Sequence, residues 1–165
     1  MMRKNSGFTL MELVVVIAII GVLSAIAVPQ YINWLPRYRA KKAAMELSGQ
    51  LHNVKMRAIK QNRSIGVYFH PASNRYYFLQ NSGTNSIWDG PTSAGGDDPI
   101  ERFLTLTDYG SGIRFAGVSP GGNTVLTFDS RGICNSMQID ITNLGGDPVY
   151  RVQTTLAGGI LLDLL

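Results

Sequence analysis

From Gly7 to Val28 the chain reads GFTLMELVVVIAIIGVLSAIAV: after the glycine come twenty-one residues whose only charge is Glu12. At about 1.5 Å rise per residue such a run makes roughly 30 Å of helix, the thickness of a bilayer's hydrocarbon core. The pattern then changes. Between Arg39 and Gln61, Ala40, Ala44, Leu47, Leu51, Val54 and Ala58 recur at steps of three and four, with Ala43 and Ile59 widening the stripe. That spacing predicts an amphipathic helix. Its polar face holds Lys41, Lys42, Glu46, Gln50, Asn53, Lys55, Arg57 and Lys60, and its small-residue stripe would let a sheet pack closely. Past Arg63 the period drops to that of strands. SIGVYF (64–69) and RYYFLQ (75–80) flank the turn-forming HPASN and predict a hairpin. Further strands are expected at 112–117, 124–129, 137–142, 149–154 and 159–164, broken by SPGGN and NLGGDP. Asn81 to Pro99 has no period, is rich in Gly, Ser, Thr and Asp, and reads as a long loop. The fold class is therefore α+β. A long N-terminal helix, membrane-spanning over 8–28 and amphipathic over 29–63, packs on an antiparallel β-sheet head covering 64–165.

Charge adds a polarity to this layout. Arg3 and Lys4 precede the apolar run and place the N-terminus on the cytoplasmic side with the head outside. Between Gln30 and Arg63 eight Lys or Arg face the single Glu46, whereas from Ser64 onward five Arg meet nine acids. A basic rod thus carries a mildly acidic head, and the formal total of +4 hides the segregation. Tyr31, Trp34 and Tyr38 follow the apolar run, where aromatic residues gather at a membrane interface. Pro29 removes a helical hydrogen bond and predicts a bend at the membrane exit; Pro36 is a second possible kink. Ser24, Ala25 and Ala27 offer weak cleavage sites of the secretory type. The length of the run, and the continuation of helical character past Pro29, favour a retained anchor. Cys134 is the only cysteine, which excludes an intramolecular disulfide, and it reads as a small packed side chain.

Candidate chemistry is sparse. His52 and His70 fall on the helix and at a hairpin turn, and neither HExxH nor CxxC spacing is present. No GxSxG elbow, Walker loop or dinucleotide fingerprint occurs, so neither an enzyme nor a cofactor is expected. Asp89, Asp97 and Asp98 could offer oxygen ligands to Ca²⁺, but their spacing is not that of an EF-hand. They read as solvated loop carboxylates, and no metal site is expected. Glu12 is the anomaly: an ionisable group in a spanning helix is costly and calls for a partner, and nothing basic lies within a turn or two after it. Either the partner lies outside the chain, or it is a new terminal amine made by cutting nearby, or the carboxylate snorkels to the interface.

The residues Gly7-Phe8-Thr9-Leu10-Met11-Glu12 after a short basic leader resemble the GFTLxE processing motif of type IV pilins and type II secretion pseudopilins. LSGQLHNVKMRAIKQNRSIGVYF also resembles the helix end and first strand of the H-type minor pseudopilin and T-type minor pilin group, a likeness covering about residues 44 to 80. The resemblance implies a pilin-like fold. It implies that 1–7 is a leader removed by a prepilin peptidase between Gly7 and Phe8, with Phe8 then N-methylated. It further implies that Glu12 pairs with the terminal amine of a neighbouring subunit, and that the helix melts locally around Pro29 on assembly. The expected partners are other pilin or pseudopilin subunits, the peptidase, inner-membrane assembly machinery and the lipid bilayer. Some T-type minor pilins bind DNA in natural transformation. The basic helix face and Arg75-Tyr76-Tyr77-Phe78 could supply phosphate contacts and stacking. The arginines that do this in that group lie in a Gly-Arg-containing C-terminal region, however, and this chain ends AGGILLDLL with no basic residue after Arg151. The reading is therefore a structural subunit, with DNA uptake as the alternative. The basic helix face is taken as a surface for other subunits or lipid headgroups.

Overall fold

The computed structural model describes residues 8–119, 125–147 and 149–165. Helix α1 spans Leu10–Gln61 and contains both Pro29 and Pro36 without interruption. The chain forms two compact units, one ending at Leu35 and the other comprising Pro36–Leu165.

In the first unit the helix is apolar in every direction, and all residues from 8 to 34 are exposed within the subunit. A helix hydrophobic all round does not stand in water; something outside the chain must cover it.

In the second unit the helix buries Ala40, Ala43, Ala44, Leu47, Leu51, Val54 and Ala58. Ile59, expected in this stripe, is 41% exposed: it lies at the stripe's margin, beside the turn at Gly132. The helix stops where Asn62 takes a left-handed φ of 49° and the Arg63 N–H reaches back to the Ala58 carbonyl at 3.2 Å. Asparagine tolerates that conformation better than most residues, so it serves as the cap.

Among the described residues eight strands follow: β1 (Ile65–His70), β2 (Arg75–Leu79), β3 (Ile100–Thr105), β4 (Arg114–Ser119), β5 (Val125–Phe128), β6 (Met137–Thr142), β7 (Tyr150–Thr154) and β8 (Ile160–Leu164). The head is not one sheet but two antiparallel four-stranded sheets, ordered β3-β2-β1-β5 and β4-β6-β7-β8. Helix residues, Phe69, Phe78 and Phe128 from the first sheet, and Met137, Ile139, Ile141 and Val152 from the second form one core. Two sheets are needed because the inward residues of both close on the same helix stripe. β3 falls in a stretch not predicted as a strand. It is an edge strand whose Ile100 and Phe103 are exposed, so no buried alternation marks it.

The helix is also tied to the head by polar contacts. Lys55 Nζ donates to the Gly158 carbonyl at 2.8 Å, Arg57 pairs with Glu101 at 2.7 Å, and Arg102 donates to Gln50 Oε1 at 2.6 Å. Part of the basic face read as free for subunits or headgroups is thus used within the head. The loop between β2 and β3 folds back over the outer face of the first sheet. Trp88 packs with Tyr68 against Tyr77, Leu79 and Val125. Gly66 is required there, since a Cβ at that position would lie 2.5 Å from the Trp88 ring.

Candidate assembly site on the N-terminal helix

The first turn of α1 is organised by two side chains. The Thr9 backbone N–H and its hydroxyl both donate to Glu12 Oε2, at 3.1 and 3.0 Å, and the Glu12 N–H donates back to Thr9 Oγ1 at 3.2 Å. With the helix beginning at Leu10, Thr9 is its N-cap and Glu12 its third residue, the reciprocal arrangement of a capping box. Glu12 therefore finds its hydrogen-bond donors in its own chain, on Thr9, rather than in a basic neighbour. The signal was present as Thr-x-x-Glu directly before an apolar run. A carboxylate at a helix start also sits against the positive end of the backbone dipoles.

This places the only charge of the apolar run at its outermost turn, one residue row from Phe8, which is 88% exposed and immediately precedes the helix cap. Gly7 lies outside the described residues. Pro29 lies within the helix, seventeen positions beyond Glu12. Phe8, Glu12 and Pro29 thus lie along one continuous apolar surface instead of converging on a pocket. Such an arrangement can insert in lipid or pack against other helices.

The remaining candidates resolve as follows. Tyr76 and Phe78 are fully buried and Tyr77 nearly so, while Arg75 lies over the Phe103 ring at 5.3 Å, so this strand offers no stacking platform to bases. His70 Nδ1 accepts from the Ser73 N–H at 3.2 Å and closes the β1–β2 turn, and His52 Nδ1 donates to the Ser48 carbonyl at 2.9 Å. Cys134 is buried, and burial pushes its thiol up from the ordinary range. Asp89, Asp97 and Asp98, read as solvated, are gathered together instead, with Asp98 only 2% exposed.

Comparison with known proteins places these features among relatives. Residues 2–28 match the prokaryotic N-terminal methylation motif, and residues 43–158 match the model of the type II transport protein GspH. A fimbrial protein of Pseudomonas aeruginosa is 39% identical over 126 residues, 72% of this chain and 79% of its own length. Among solved structures, the minor pseudopilin EpsH from the type 2 secretion system of Vibrio cholerae aligns with a TM-score of 0.55 at 23% identity, covering 77% of this chain and 96% of that one. The type IV minor pilin FimU of Pseudomonas aeruginosa aligns with a TM-score of 0.57 at 17% identity, covering 79% and 92%. At these identities the structural likeness speaks for the fold.

Proposed function

Since the chain belongs to the family of the type II transport protein GspH, we propose that it works as a minor pilin or pseudopilin, stored in the inner membrane and assembled through its N-terminal helix. It is a structural subunit of a pilus or pseudopilus, with pilin and minor pseudopilin relatives and the N-terminal methylation motif. The observation that carries the proposal is the apolar stretch from Phe8 to Val28, exposed along its whole length within the subunit, whose single carboxylate is held in the first helical turn by Thr9.

In this reading a prepilin peptidase removes 1–7 by cutting between Gly7 and Phe8, and Phe8 becomes the methylated N-terminus. The helix then rests in the bilayer with the head in the periplasm. On assembly the same surface exchanges lipid for neighbouring helices, a change between two apolar environments that costs little. Glu12 lies one turn from the new amine of Phe8 and is placed to meet the amine of an adjacent subunit. Two opposite charges in a medium of low dielectric set an axial register. Pro29 lacks an amide donor and so marks the point where the helix opens with least loss. The head contributes surface, not catalysis.

Gly7→Ala tests the reading. A precursor heavier by the leader should accumulate in membranes, while Glu12→Ala should be processed normally but recovered poorly in sheared filaments. Full maturation of Gly7→Ala would refute the processing assignment, and filament incorporation of Glu12→Ala at the wild-type level would refute the role of the carboxylate.

A further inference from the structure

The loop between β2 and β3 carries the strongest feature outside the assembly helix, and it is independent of the reading above. Asp89, Asp97 and Asp98 each place a carboxylate oxygen within 4.8 Å of the others. Two ligands on one Ca²⁺ at 2.3–2.6 Å can be no more than about 5 Å apart, so three oxygens at this spread fit a single shell.

Proximity alone would not distinguish a site from an exposed acidic cluster; the state of the individual oxygens does. Asp98 is 2% exposed, and its Oδ2 accepts the N–H groups of Asp89 at 3.1 Å and Gly90 at 2.7 Å. Its Oδ1 is enclosed and receives no hydrogen bond from the described residues. Asp97 repeats the arrangement. Its Oδ2 accepts from the Thr84 N–H at 2.8 Å, the Thr84 hydroxyl and the Asn85 N–H at 3.3 Å, while its Oδ1 is enclosed and without a donor. Asp89 completes the set, its Oδ1 accepting from the Asp97 N–H at 3.2 Å and its Oδ2 from Asn85 Nδ2 at 2.9 Å.

Loop amides thus hold one edge of Asp97 and of Asp98 and leave the other edge buried. A buried carboxylate oxygen without a partner is expensive, and three like charges this close repel. No lysine or arginine of the described residues pairs with any of them; the ion pairs present lie at Arg57, Arg131 and Arg151. The backbone crowds in as well: a Cβ on Gly83, where φ is +63°, would run into Asp97 Oδ1, and one on Gly96 into Asp89 Oδ1 and the Gly90 carbonyl.

We propose that Asp89, Asp97 and Asp98 form a Ca²⁺ site that clamps the 81–99 loop onto the first sheet. The donors are all hard oxygens, with neither histidine nor thiolate among them, which selects Ca²⁺ over transition metals. Irregular loop spacing suits the flexible shell of Ca²⁺ better than the strict octahedron of Mg²⁺. The ion supplies the missing positive partner and locks the two loop arms together. Trp88, which lies between Asn85 and Asp89 in the chain, is held on the sheet by the same closure.

The test uses the full chain in detergent micelles, stripped with EDTA and titrated with CaCl₂ by calorimetry, with thermal melting in parallel. One ion should bind with a Kd on the order of 10⁻⁵ to 10⁻³ M. A hundredfold excess over Kd should raise the melting temperature by roughly 5–10 °C. Asp97→Asn and Asp98→Asn should each weaken binding at least about tenfold, while Asp108→Asn, on an exposed turn elsewhere, should leave it unchanged. If the buried Asp98 variant does not fold, the exposed Asp89→Asn takes its place with the same expectation. Absence of heat and of a melting shift up to 10 mM CaCl₂, a magnitude about tenfold above the weakest Kd expected, would overturn the proposal. So would unchanged affinity in Asp97→Asn and Asp89→Asn.

Discussion

Leu51 and Ile59 lie on the same predicted helix stripe, yet the head treats them differently, and truncating each to alanine measures that difference. Leu51 is fully buried in the core and Ile59 is 41% exposed. Either change removes three carbons, worth about 2.4 kcal/mol of transfer at ~0.8 kcal/mol per methylene when burial is complete. Leu51 is fully buried in the core that the helix shares with both sheets, so a cavity term adds to this and the total should be about 3 kcal/mol, within the usual 2–5. At Ile59 only about three-fifths of the side chain is covered and no closed cavity forms, which leaves roughly 1.4 kcal/mol. For a chain of this length a kilocalorie shifts the midpoint by roughly 2–4 °C, so the expected losses are about 6–12 °C for Leu51→Ala and about 3–6 °C for Ile59→Ala. Thermal unfolding of the full chain in micelles, followed by near-ultraviolet circular dichroism of the packed tyrosines and Trp88, reads the head directly. Equal shifts, or a larger loss at Ile59, would refute the packing argument and restore the stripe as drawn from periodicity.

Two other outcomes are expected from the geometry. Thr9→Ala removes the cap that binds Glu12, a change that typically costs about 0.5–2 kcal/mol at a helix start. Amide exchange in the first turn should then quicken, and Thr9→Ser should restore protection; unaltered exchange in Thr9→Ala would remove the capping box as the element that holds Glu12. Tyr76 is fully buried, and desolvation, with Tyr109 and Glu46 nearby, pushes its phenol well above 10. Its folded form stays protonated where the unfolded chain ionises, so its contribution is complete below pH 10 and declines as pH rises towards the folded value, by about 1.4 kcal/mol per pH unit. Tyr76→Phe should therefore flatten the fall in stability above pH 10, and an alkaline limb of identical slope would contradict this.

Much of the fold was legible because it rests on local periodicity. The apolar run, the stripe from Ala40 to Ala58, the β1–β2 hairpin and the loop from Asn81 to Pro99 each follow from residues close together in the chain. Strand limits shifted by a residue or two, as at Gly112, where a φ of +93° makes a turn and delays β4 to Arg114. β3 was missed because an edge strand need not alternate between buried and exposed positions. The capping box was legible in the Thr9-x-x-Glu12 spacing, where a hydroxyl and an amide take the place of a cation.

The sequence by itself determined the long apolar run, the amphipathic docking helix and the β-rich character of the head, since each is a matter of spacing along one stretch of chain. Only the tertiary structure decided that the head has two sheets around one helix stripe, that Lys55 and Arg57 bind groups of the head, and that the Tyr76 and Phe78 rings are core. It alone brought Asp89 to Asp97 and Asp98. Residues eight and nine positions apart in a loop without a period have no local rule that relates them. Their meeting depends on Gly90 and Asp98 exchanging backbone and side-chain hydrogen bonds, and on a sheet face beneath them to close against.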